Sequence, residues 1–175
     1  MADTSNSRLA AVIFDRDGVL NVDHGYVGEV DRLEWVAGAR ESVRRLKGQG
    51  ARVLVATNQS GVARGYFDEA AVARVHEAMQ AELSALGARL DAIYVCPFLP
   101  DAAIAAYAHP DHPDRKPNPG MILRALAEWK LDPAGVLVVG DKGSDLEAAR
   151  RAGVEGLLFP GGDLEAFLVA RGVLK

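Results

Sequence analysis

The feature that most constrains the fold of this chain is a regular alternation of short apolar runs with longer segments of helical periodicity. The apolar runs cover residues 9–14, 51–57, 92–96 and 135–140, with a weaker run at 155–159. They are rich in Val and Ile and do not alternate with polar residues, which is typical of parallel strands buried on both faces. The alternation predicts an α/β fold with a doubly wound, Rossmann-type parallel sheet and right-handed crossovers, and it disfavours a mixed α+β domain.

Polar residues at the edges of the helical segments predict where several helices begin. Asp68 is placed to cap one helix, and Asn118-Pro119 forms an N-cap and first-turn pair for another. Ser144 and Glu147 have the spacing of a capping box, in which each residue bonds the backbone of the other. His76 lies within a helical pattern, and we expect it at the surface.

The composition fits one globular domain with its own core. The chain has 175 residues, of which 49% are hydrophobic and 25% are charged, and its net charge is −4. This weakly acidic balance disfavours a general nucleic-acid binder, and no stretch approaches the roughly 18 apolar residues of a membrane span. We expect residues 1–7 to be a flexible N-terminal tail and residues 8–175 to form a single domain.

The N-terminus and the cysteine content favour a cytoplasmic protein. Residues 1–8 are mostly polar, and the apolar run behind them is too short for a signal peptide. Cys96 is the only cysteine, so no intrachain disulfide can form.

Polar residues cluster at the carboxyl ends of the expected strands, which is where open α/β sheets bind ligands. Asp15 and Asp17 end the first strand, Thr57 ends the second, and Asp141 ends the fourth. Lys116 precedes the helix that begins near Pro119. These residues come from distant parts of the chain, so the fold class predicts that they converge on one rim of the sheet.

The side chains on this rim suit the chemistry of a phosphoryl group. Residues two apart in extended backbone point the same way, so Asp15 and Asp17 face one small volume. Two close carboxylates repel unless one is protonated or a cation lies nearby. Asp141 adds a third carboxylate, and oxygen ligands without His or Cys suit a hard cation such as Mg²⁺. With the Thr57 hydroxyl and the Lys116 ammonium, they predict a site for phosphoryl transfer.

Four motifs carry a resemblance to a known family. They read DRDGVLN (15–21), TNQSG (57–61), RKPNPGM (115–121) and VGDKGSD (139–145). In this order they resemble the signature motifs of the phosphatases of the haloacid dehalogenase (HAD) superfamily. Each motif alone is weak, but the ordered set is highly specific.

The resemblance implies a catalytic role for four residues. Asp15 is implied as the nucleophile that forms an aspartyl-phosphate, and Asp17 as the general acid and base. Thr57 and Lys116 are implied as the pair that stabilises the phosphate.

The resemblance also implies a Mg²⁺ cofactor. Its expected ligands are Asp15, Asp141 and the backbone carbonyl of Asp17. Asp145 matches a further acid of the fourth motif, and two roles stay open for it. It orients Lys116 or a metal-bound water, or it stabilises a helix N-terminus by its charge.

A finer resemblance is to the D-glycero-D-manno-heptose 1,7-bisphosphate 7-phosphatases and their relatives, the histidinol-phosphate phosphatases. Residues 21–26, 57–65 and 115–117 carry it. It implies a phosphomonoesterase that removes the 7-phosphate of the heptose bisphosphate, with histidinol phosphate or another small metabolite as the alternative. The chain has no long insertion, so we expect no large cap domain and a pocket shaped by loops.

The finer resemblance implies a set of substrate contacts and a partner. We expect a monomer that acts on a small phosphorylated metabolite, without nucleic-acid or membrane partners. Loop packing stays an alternative role for His24 and Tyr26, as does solvated surface charge for Arg115 and Lys142. The implied substrate contacts are Arg16, Asp23, His24, Gly25, Tyr26, Asn58, Gln59, Ser60, Arg115 and Lys142.

One departure from the family concerns a structural zinc. The family often binds zinc through a Cys-x-His pair and a later Cys-x-Cys pair, whereas this chain reads CPF at 96–98 and HPD at 112–114. Phe98 cannot bind a metal, and structural zinc normally has four ligands, largely Cys and His. A structural zinc is therefore not expected. The candidate ligands that remain are Cys96, His109, His112 and Asp114.

Other functional classes fit the sequence less well. A phosphoacceptor receiver module lacks a second Asp two residues after its acceptor, whereas Asp17 follows Asp15 here. A catalytically inactive phosphosugar-binding protein is disfavoured because Asp15, Asp17, Lys116 and Asp141 are all present. The sequence G-x-x-x-x-G-K-[ST] is absent, which disfavours a P-loop nucleotidase.

Overall fold

The computed structural model describes residues 9–175, which fold around a five-stranded, all-parallel sheet with helices on both faces. The tail expected over residues 1–7 lies outside the described residues. The spatial order of the strands is β3-β2-β1-β4-β5, and the predicted α/β fold class is confirmed. The strands are β1 (Ala11–Phe14), β2 (Arg52–Asn58), β3 (Ala92–Cys96), β4 (Val136–Gly140) and β5 (Glu155–Leu158).

The helices divide between the two faces of the sheet. They are α1 (Ala39–Gly48), α2 (Glu69–Ser84), α3 (Gly120–Trp129), α4 (Gly143–Arg151) and α5 (Leu164–Ala170). Because successive strand residues point to opposite faces, Phe14 packs with α1, α2 and α5, while Ile13 packs with α3 and α4. None of the helices within residues 9–175 has the length and apolar character of a membrane span.

The strand order places a ligand-binding crevice next to β1. The chain winds outward from β1 through β2 to β3 and then crosses to the other side of β1 to form β4. Phe14 pairs with Val55 of β2 and Val139 of β4, and the N–H of Asp15 donates to the Val139 carbonyl at 2.9 Å. Asp15 therefore emerges at the point where the strand order reverses, which is where open sheets of this kind bind ligands.

The start of α2 agrees with the sequence, whereas the start of α3 does not. The Asp68 side chain accepts a hydrogen bond from the Ala71 N–H at 2.8 Å, as an N-cap does. Helix α3 begins one residue later than predicted, with Pro119 at its N-cap. The Asn118 side chain is not a cap because its amide donates to the Asp111 carboxylate at 2.6 Å and to the His112 carbonyl at 3.0 Å.

The predicted capping box of α4 is wrong, and the residue that does this work is Asp145. The N-cap is Lys142, whose N–H donates to Asp145 Oδ2 at 3.0 Å. Ser144 lies inside the first turn, and Glu147 instead pairs with arginines one turn further on. The correction matters because it fixes the Asp145 side chain at the edge of the crevice.

The N-cap of α2 gives a test of the fold. Asp68→Ala removes the acceptor for the Ala71 N–H, so the free energy of unfolding should fall by about 1 kcal/mol in urea titrations. The control is Arg74→Ala, an exposed position on the same helix, which should change it by less than about 0.5 kcal/mol. A loss in Asp68→Ala no larger than that of the control would contradict the cap.

Candidate active site

A cleft of about 490 Å³ opens at the carboxyl ends of β1, β2 and β4. A larger cavity of about 660 Å³ lies at the opposite ends of the strands, near Leu9 and Val136, and contains none of the predicted site residues. The chemistry therefore concentrates in the smaller cleft. The predicted residues that line it are Asp15, Asp17, Asp23, Gly25, Tyr26, Asn58, Gln59, Ser60, Arg115, Lys116 and Lys142.

A buried ammonium group joins two carboxylates at the base of the cleft. Lys116 Nζ lies 3.0 Å from Asp15 Oδ1 and 2.6 Å from Asp145 Oδ1, and it donates to the Ala56 carbonyl at 2.7 Å. Burial disfavours the ammonium, but the two carboxylates outweigh it and raise the pKa of Lys116. Lys116 therefore stays protonated, and it ties β1, β2 and the start of α4 together. Of the two roles left open for Asp145, the structure supports both the contact with Lys116 and the cap of α4.

Burial dominates the electrostatics of Asp15. It raises the pKa of the Asp15 carboxyl to about 6, while the Lys116 ammonium acts in the opposite direction. At neutral pH the carboxylate form predominates, with only 7% of the residue exposed. An ionised, poorly solvated carboxylate at the base of a cleft is chemically suited to act as a nucleophile.

Asp17 lies in a different environment from Asp15. Its carboxylate accepts hydrogen bonds from Arg16 Nη2 at 2.9 and 3.0 Å, from Asn21 Nδ2 at 2.9 Å and from Gln59 Nε2 at 2.8 Å. Burial opposes ionisation, but the Arg16 charge and these hydrogen bonds outweigh it and lower the pKa of Asp17. Two carboxylates in adjacent positions thus have separate cationic partners, which relieves their repulsion.

Three carboxylates offer a cation site beside the cleft. One oxygen each of Asp15, Asp141 and Asp145 lies within 4.8 Å of the others. Asp141 Oδ1 is buried and has no hydrogen-bond partner, and burial raises the pKa of this carboxyl. Gly18 allows the approach, because a Cβ there would lie 2.2 Å from Asp141 Oδ2. Carboxylate oxygens with an unpartnered atom fit a hard cation such as Mg²⁺. The Asp17 carboxylate, directed at Arg16, is not part of this group.

Thr57 and Arg16 are predicted site residues, but neither side chain is exposed in the cleft. Thr57 is fully buried, and its hydroxyl accepts a hydrogen bond from Gln59 Nε2 at 2.9 Å. Arg16, expected to contact substrate, is also fully buried, and its Nη2 donates to the Val27 carbonyl at 2.7 Å. Neither side chain therefore lies in the lining of the cleft, and the catalytic role of Thr57 and the substrate contact of Arg16 stay predictions.

His76 is not the surface residue that the sequence indicated. It is partly buried, and its Nε2 lies 3.2 Å from Arg16 Nη1. Burial, followed by the Arg16 charge, lowers the pKa of His76 to about 4. The signal was present in the sequence, since His76 lies four residues after Val72 and three before Met79, on the buried stripe of α2.

The loop after β1 places one predicted contact away from the cleft. His24 does not line the cleft; its Nε2 lies 2.6 Å from the Glu34 carboxylate on the surface. Tyr26 does line it, with a positive φ of 54°, and its ring packs edge-on against Tyr66 at 4.9 Å. Loop packing therefore accounts for the position of His24 in this structure, and its contact with substrate stays a prediction.

Two cations stand on the rim of the cleft. Arg115 Nη1 donates to the Phe98 carbonyl at 3.1 Å, and Lys142 Nζ lies 3.5 Å from Asp23 Oδ2. Asn58 supports this wall, because its side-chain amide exchanges two hydrogen bonds with the backbone of Lys116. The rim can therefore bind an anionic group that is separate from one held at the base of the cleft by Lys116.

The region of the family's zinc site contains an aromatic stack. The Phe98 ring lies parallel to that of His112 at 4.0 Å, and the rings of His109 and His112 are 5.0 Å apart. Cys96 is buried at the end of β3, and burial raises the pKa of its thiol. The ring nitrogens Nδ1 of His109 and His112 accept hydrogen bonds from the backbone N–H groups of Asp111 and Asp114, at 3.2 and 3.1 Å.

Comparisons with known proteins agree with this geometry. The model of the HAD-hydrolase-like family matches residues 114–173. A D-glycero-beta-D-manno-heptose-1,7-bisphosphate 7-phosphatase from Rhodopseudomonas palustris is 42% identical over 94% of this chain and 91% of its own length. The enzyme of that name from Escherichia coli K12 is 42% identical over 83% of this chain and 76% of its own. The crystal structure of D,D-heptose 1,7-bisphosphate phosphatase from B. bronchiseptica, complexed with magnesium and phosphate, is 37% identical. It has a TM-score of 0.78 and covers 95% of this chain and 88% of that one.

A pair of glycines tests how Asp145 is held. A Cβ at Gly140 would lie 2.2 Å from the Asp145 side chain, whereas a Cβ at Gly143 would have nothing within 4 Å. Gly140→Ala should therefore displace Asp145 from Lys116 and lower the free energy of unfolding by about 1–3 kcal/mol. Gly143→Ala, the matched control, should leave it unchanged or raise it by up to about 1 kcal/mol. Equal effects in urea titrations of the two variants would show that Asp145 does not need this space.

Proposed function

We propose a function for this chain, which belongs to the family of D-glycero-beta-D-manno-heptose-1,7-bisphosphate 7-phosphatases: it hydrolyses the 7-phosphate of this sugar bisphosphate through an aspartyl-phosphate. The observation that carries the proposal is the buried contact of Asp15 with Lys116 at the base of the cleft. It supplies a nucleophile and a fixed positive charge within reach of one phosphoryl group.

In the first proposed step, an Asp15 carboxylate oxygen attacks the phosphorus of the 7-phosphate. The bond between phosphorus and the sugar oxygen breaks, and Asp17 gives its proton to that leaving oxygen. Asp17 is ionised while Arg16 holds it. The negative phosphoryl group raises the proton affinity of a nearby carboxylate, so Asp17 takes up one proton from the solvent as substrate enters. Lys116 balances the charge that develops on the phosphoryl oxygens.

In the second proposed step, water attacks the phosphorus of the aspartyl-phosphate. Asp17, now a carboxylate, takes a proton from that water, and the bond between the phosphorus and Asp15 breaks. As inorganic phosphate leaves, Asp17 releases this proton to the solvent, and both carboxylates return to their starting, ionised state. One residue thus acts first as acid and then as base.

We propose Mg²⁺ as the cofactor, held by the carboxylates of Asp15 and Asp141 and by the backbone carbonyl of Asp17. The unpartnered Asp141 Oδ1 supports this choice. When bound, the ion supplies positive charge that offsets the negative charge of the phosphoryl oxygens. Asp145 keeps its contacts with the Lys116 ammonium and the Lys142 N–H, and it thereby holds Lys116 in place.

The rim cations account for a substrate with two phosphates. We propose that Arg115 and Lys142 bind the 1-phosphate, with Asp23 and Tyr26 beside the sugar. Arg115 has five N–H donors and suits bidentate contact with a phosphate. Among residues 9–175, the only hydrogen bond of the Arg115 side chain is the one from Nη1 to the Phe98 carbonyl.

We also propose a cytoplasmic monomer that forms one domain over residues 8–175. Light scattering at micromolar concentration tests this, since a dimer mass would contradict it.

The proposed reaction can be observed directly by ³¹P NMR with Mg²⁺. The β-anomer of D-glycero-D-manno-heptose 1,7-bisphosphate should lose its 7-phosphate resonance and keep its 1-phosphate resonance. The α-anomer, L-histidinol phosphate and simple sugar monophosphates should react with a lower kcat/KM. Preference for histidinol phosphate, or loss of the 1-phosphate, would overturn the substrate assignment.

The nucleophile is tested by Asp15→Asn. A neutral amide cannot form an aspartyl-phosphate, so phosphate release should fall by at least about 10³-fold, as for other catalytic nucleophiles. The measurement is the initial rate of phosphate release. A substitution at Asn21 would not serve as a control, because the Asn21 side chain donates a hydrogen bond to Asp17. The control is Asp132→Asn, a surface Asp on the opposite side of β4, which should keep full activity. Substantial turnover by Asp15→Asn would reject the assignment.

The distal phosphate contact is tested by Arg115→Ala. Removing a charge-assisted hydrogen bond of about 1.5–3 kcal/mol should lower kcat/KM on the bisphosphate by about 10- to 150-fold. A heptose 7-monophosphate should be hydrolysed nearly as well as by the wild type. The control is Arg124→Ala, whose guanidinium pairs with Asp114 outside the cleft. Equal losses on both substrates would contradict the contact.

A further inference from the structure

The guanidinium of Arg16 holds the Asp17 carboxylate in place by hydrogen bonds from Nη2. It is fully buried, and its Nη2 alone faces Asp17, the Val27 carbonyl and Gln59 Oε1 at 2.7 to 3.2 Å. Its Nε is buried without a hydrogen-bond partner. Contacts gathered on one nitrogen hold one end of the guanidinium, and a contact at Nη1 adds a second fixed point in its plane.

His76 supplies that second fixed point. Its Nε2 lies 3.2 Å from Arg16 Nη1, and among residues 9–175 it is the hydrogen-bond partner of this nitrogen. A guanidinium has only donors, so the ring nitrogen must accept, which places the imidazole proton on Nδ1. An imidazolium would have no lone pair for this bond and would add a second positive charge beside the first. The low pKa of His76 keeps the ring neutral near pH 7.

We infer that His76 is a positioning residue that acts through Arg16 to hold the Asp17 carboxylate at the cleft. The inference rests on the proposed function, in which Asp17 transfers the proton. The chain of contacts runs from α2 through the imidazole and the guanidinium to the carboxylate. His76 itself does not line the cleft.

The position of His76 decides which step it affects. Asp17 acts on the leaving oxygen and on the attacking water, whereas Lys116 and the rim cations bind the phosphates. Loss of the imidazole acceptor should leave Arg16 Nη1 buried and unpaired and let the guanidinium turn away from Asp17. We therefore expect a loss in kcat with little change in KM, which is the pattern of a group needed in the transition state and not for binding.

The test compares two substitutions at His76. His76→Phe keeps the ring and removes the acceptor, so kcat should fall by about tenfold with KM within about twofold. His76→Gln keeps an acceptor that can reach Arg16, so kcat should stay within about threefold of the wild type. Should the phenylalanine variant fail to fold, His76→Leu removes the acceptor with a good helix former and carries the same expectation.

A matched control separates positioning from simple destabilisation. Gln80 lies one turn further along α2, and its side chain bonds only the backbone of Leu90. Gln80→Leu should lower the melting temperature without changing kcat. The inference fails if His76→Phe keeps wild-type kcat, or if His76→Gln loses as much as His76→Phe.

A second measurement does not depend on turnover. The measurement uses ¹⁵N-labelled protein without substrate, and the guanidinium resonances of Arg16 are identified by their loss in Arg16→Lys. In the wild type and in His76→Gln, rotation of the guanidinium should be slow, so its N–H resonances should be separate. In His76→Phe they should average. Unchanged resonances would reject the inference. Absence of phosphatase activity in the wild type and in Gln80→Leu would instead reject the proposed function.

Discussion

The contact of the Lys116 ammonium with Asp15 and Asp145 is the interaction on which the rest of the site depends. A charge that is almost fully buried is costly unless opposite charges and hydrogen bonds compensate it, and here two carboxylates and the Ala56 carbonyl do so. Since these partners come from β1, β2 and the start of α4, one ammonium holds three elements in register. Removing any partner would leave an uncompensated charge in the core of the site.

Separate cationic partners also explain how two acids can lie two residues apart, directly after β1. Asp15 is assigned to Lys116 above the sheet edge, and Asp17 is assigned to Arg16 beneath the cleft wall. The pKa of the first is raised by burial and that of the second is lowered by its cationic partner. In the substrate-free site this order favours an ionised Asp17, so its proposed role as proton donor depends on the proton that it takes up when the negative phosphoryl group binds.

Much of the fold follows from the sequence, because buried parallel strands are apolar on both faces and each apolar run of the sequence forms one strand of the sheet. The convergence of Asp15, Lys116 and Asp141 follows from the position of each at a strand end. The orientation of Arg16, Thr57 and His24 does not follow, since it depends on which nearby group satisfies each polar atom. That choice is made between residues distant in sequence, as with Arg16 and His76.

The most direct measurement of the central claim is to trap the covalent intermediate. The enzyme would be quenched in acid during turnover of the heptose bisphosphate, reduced with borohydride and digested, and its peptides sequenced by mass spectrometry. An acyl phosphate is reduced by borohydride to an alcohol, so the account predicts homoserine at position 15 and aspartate at position 17. Homoserine at position 17, or unmodified aspartate at both positions with turnover intact, would contradict it.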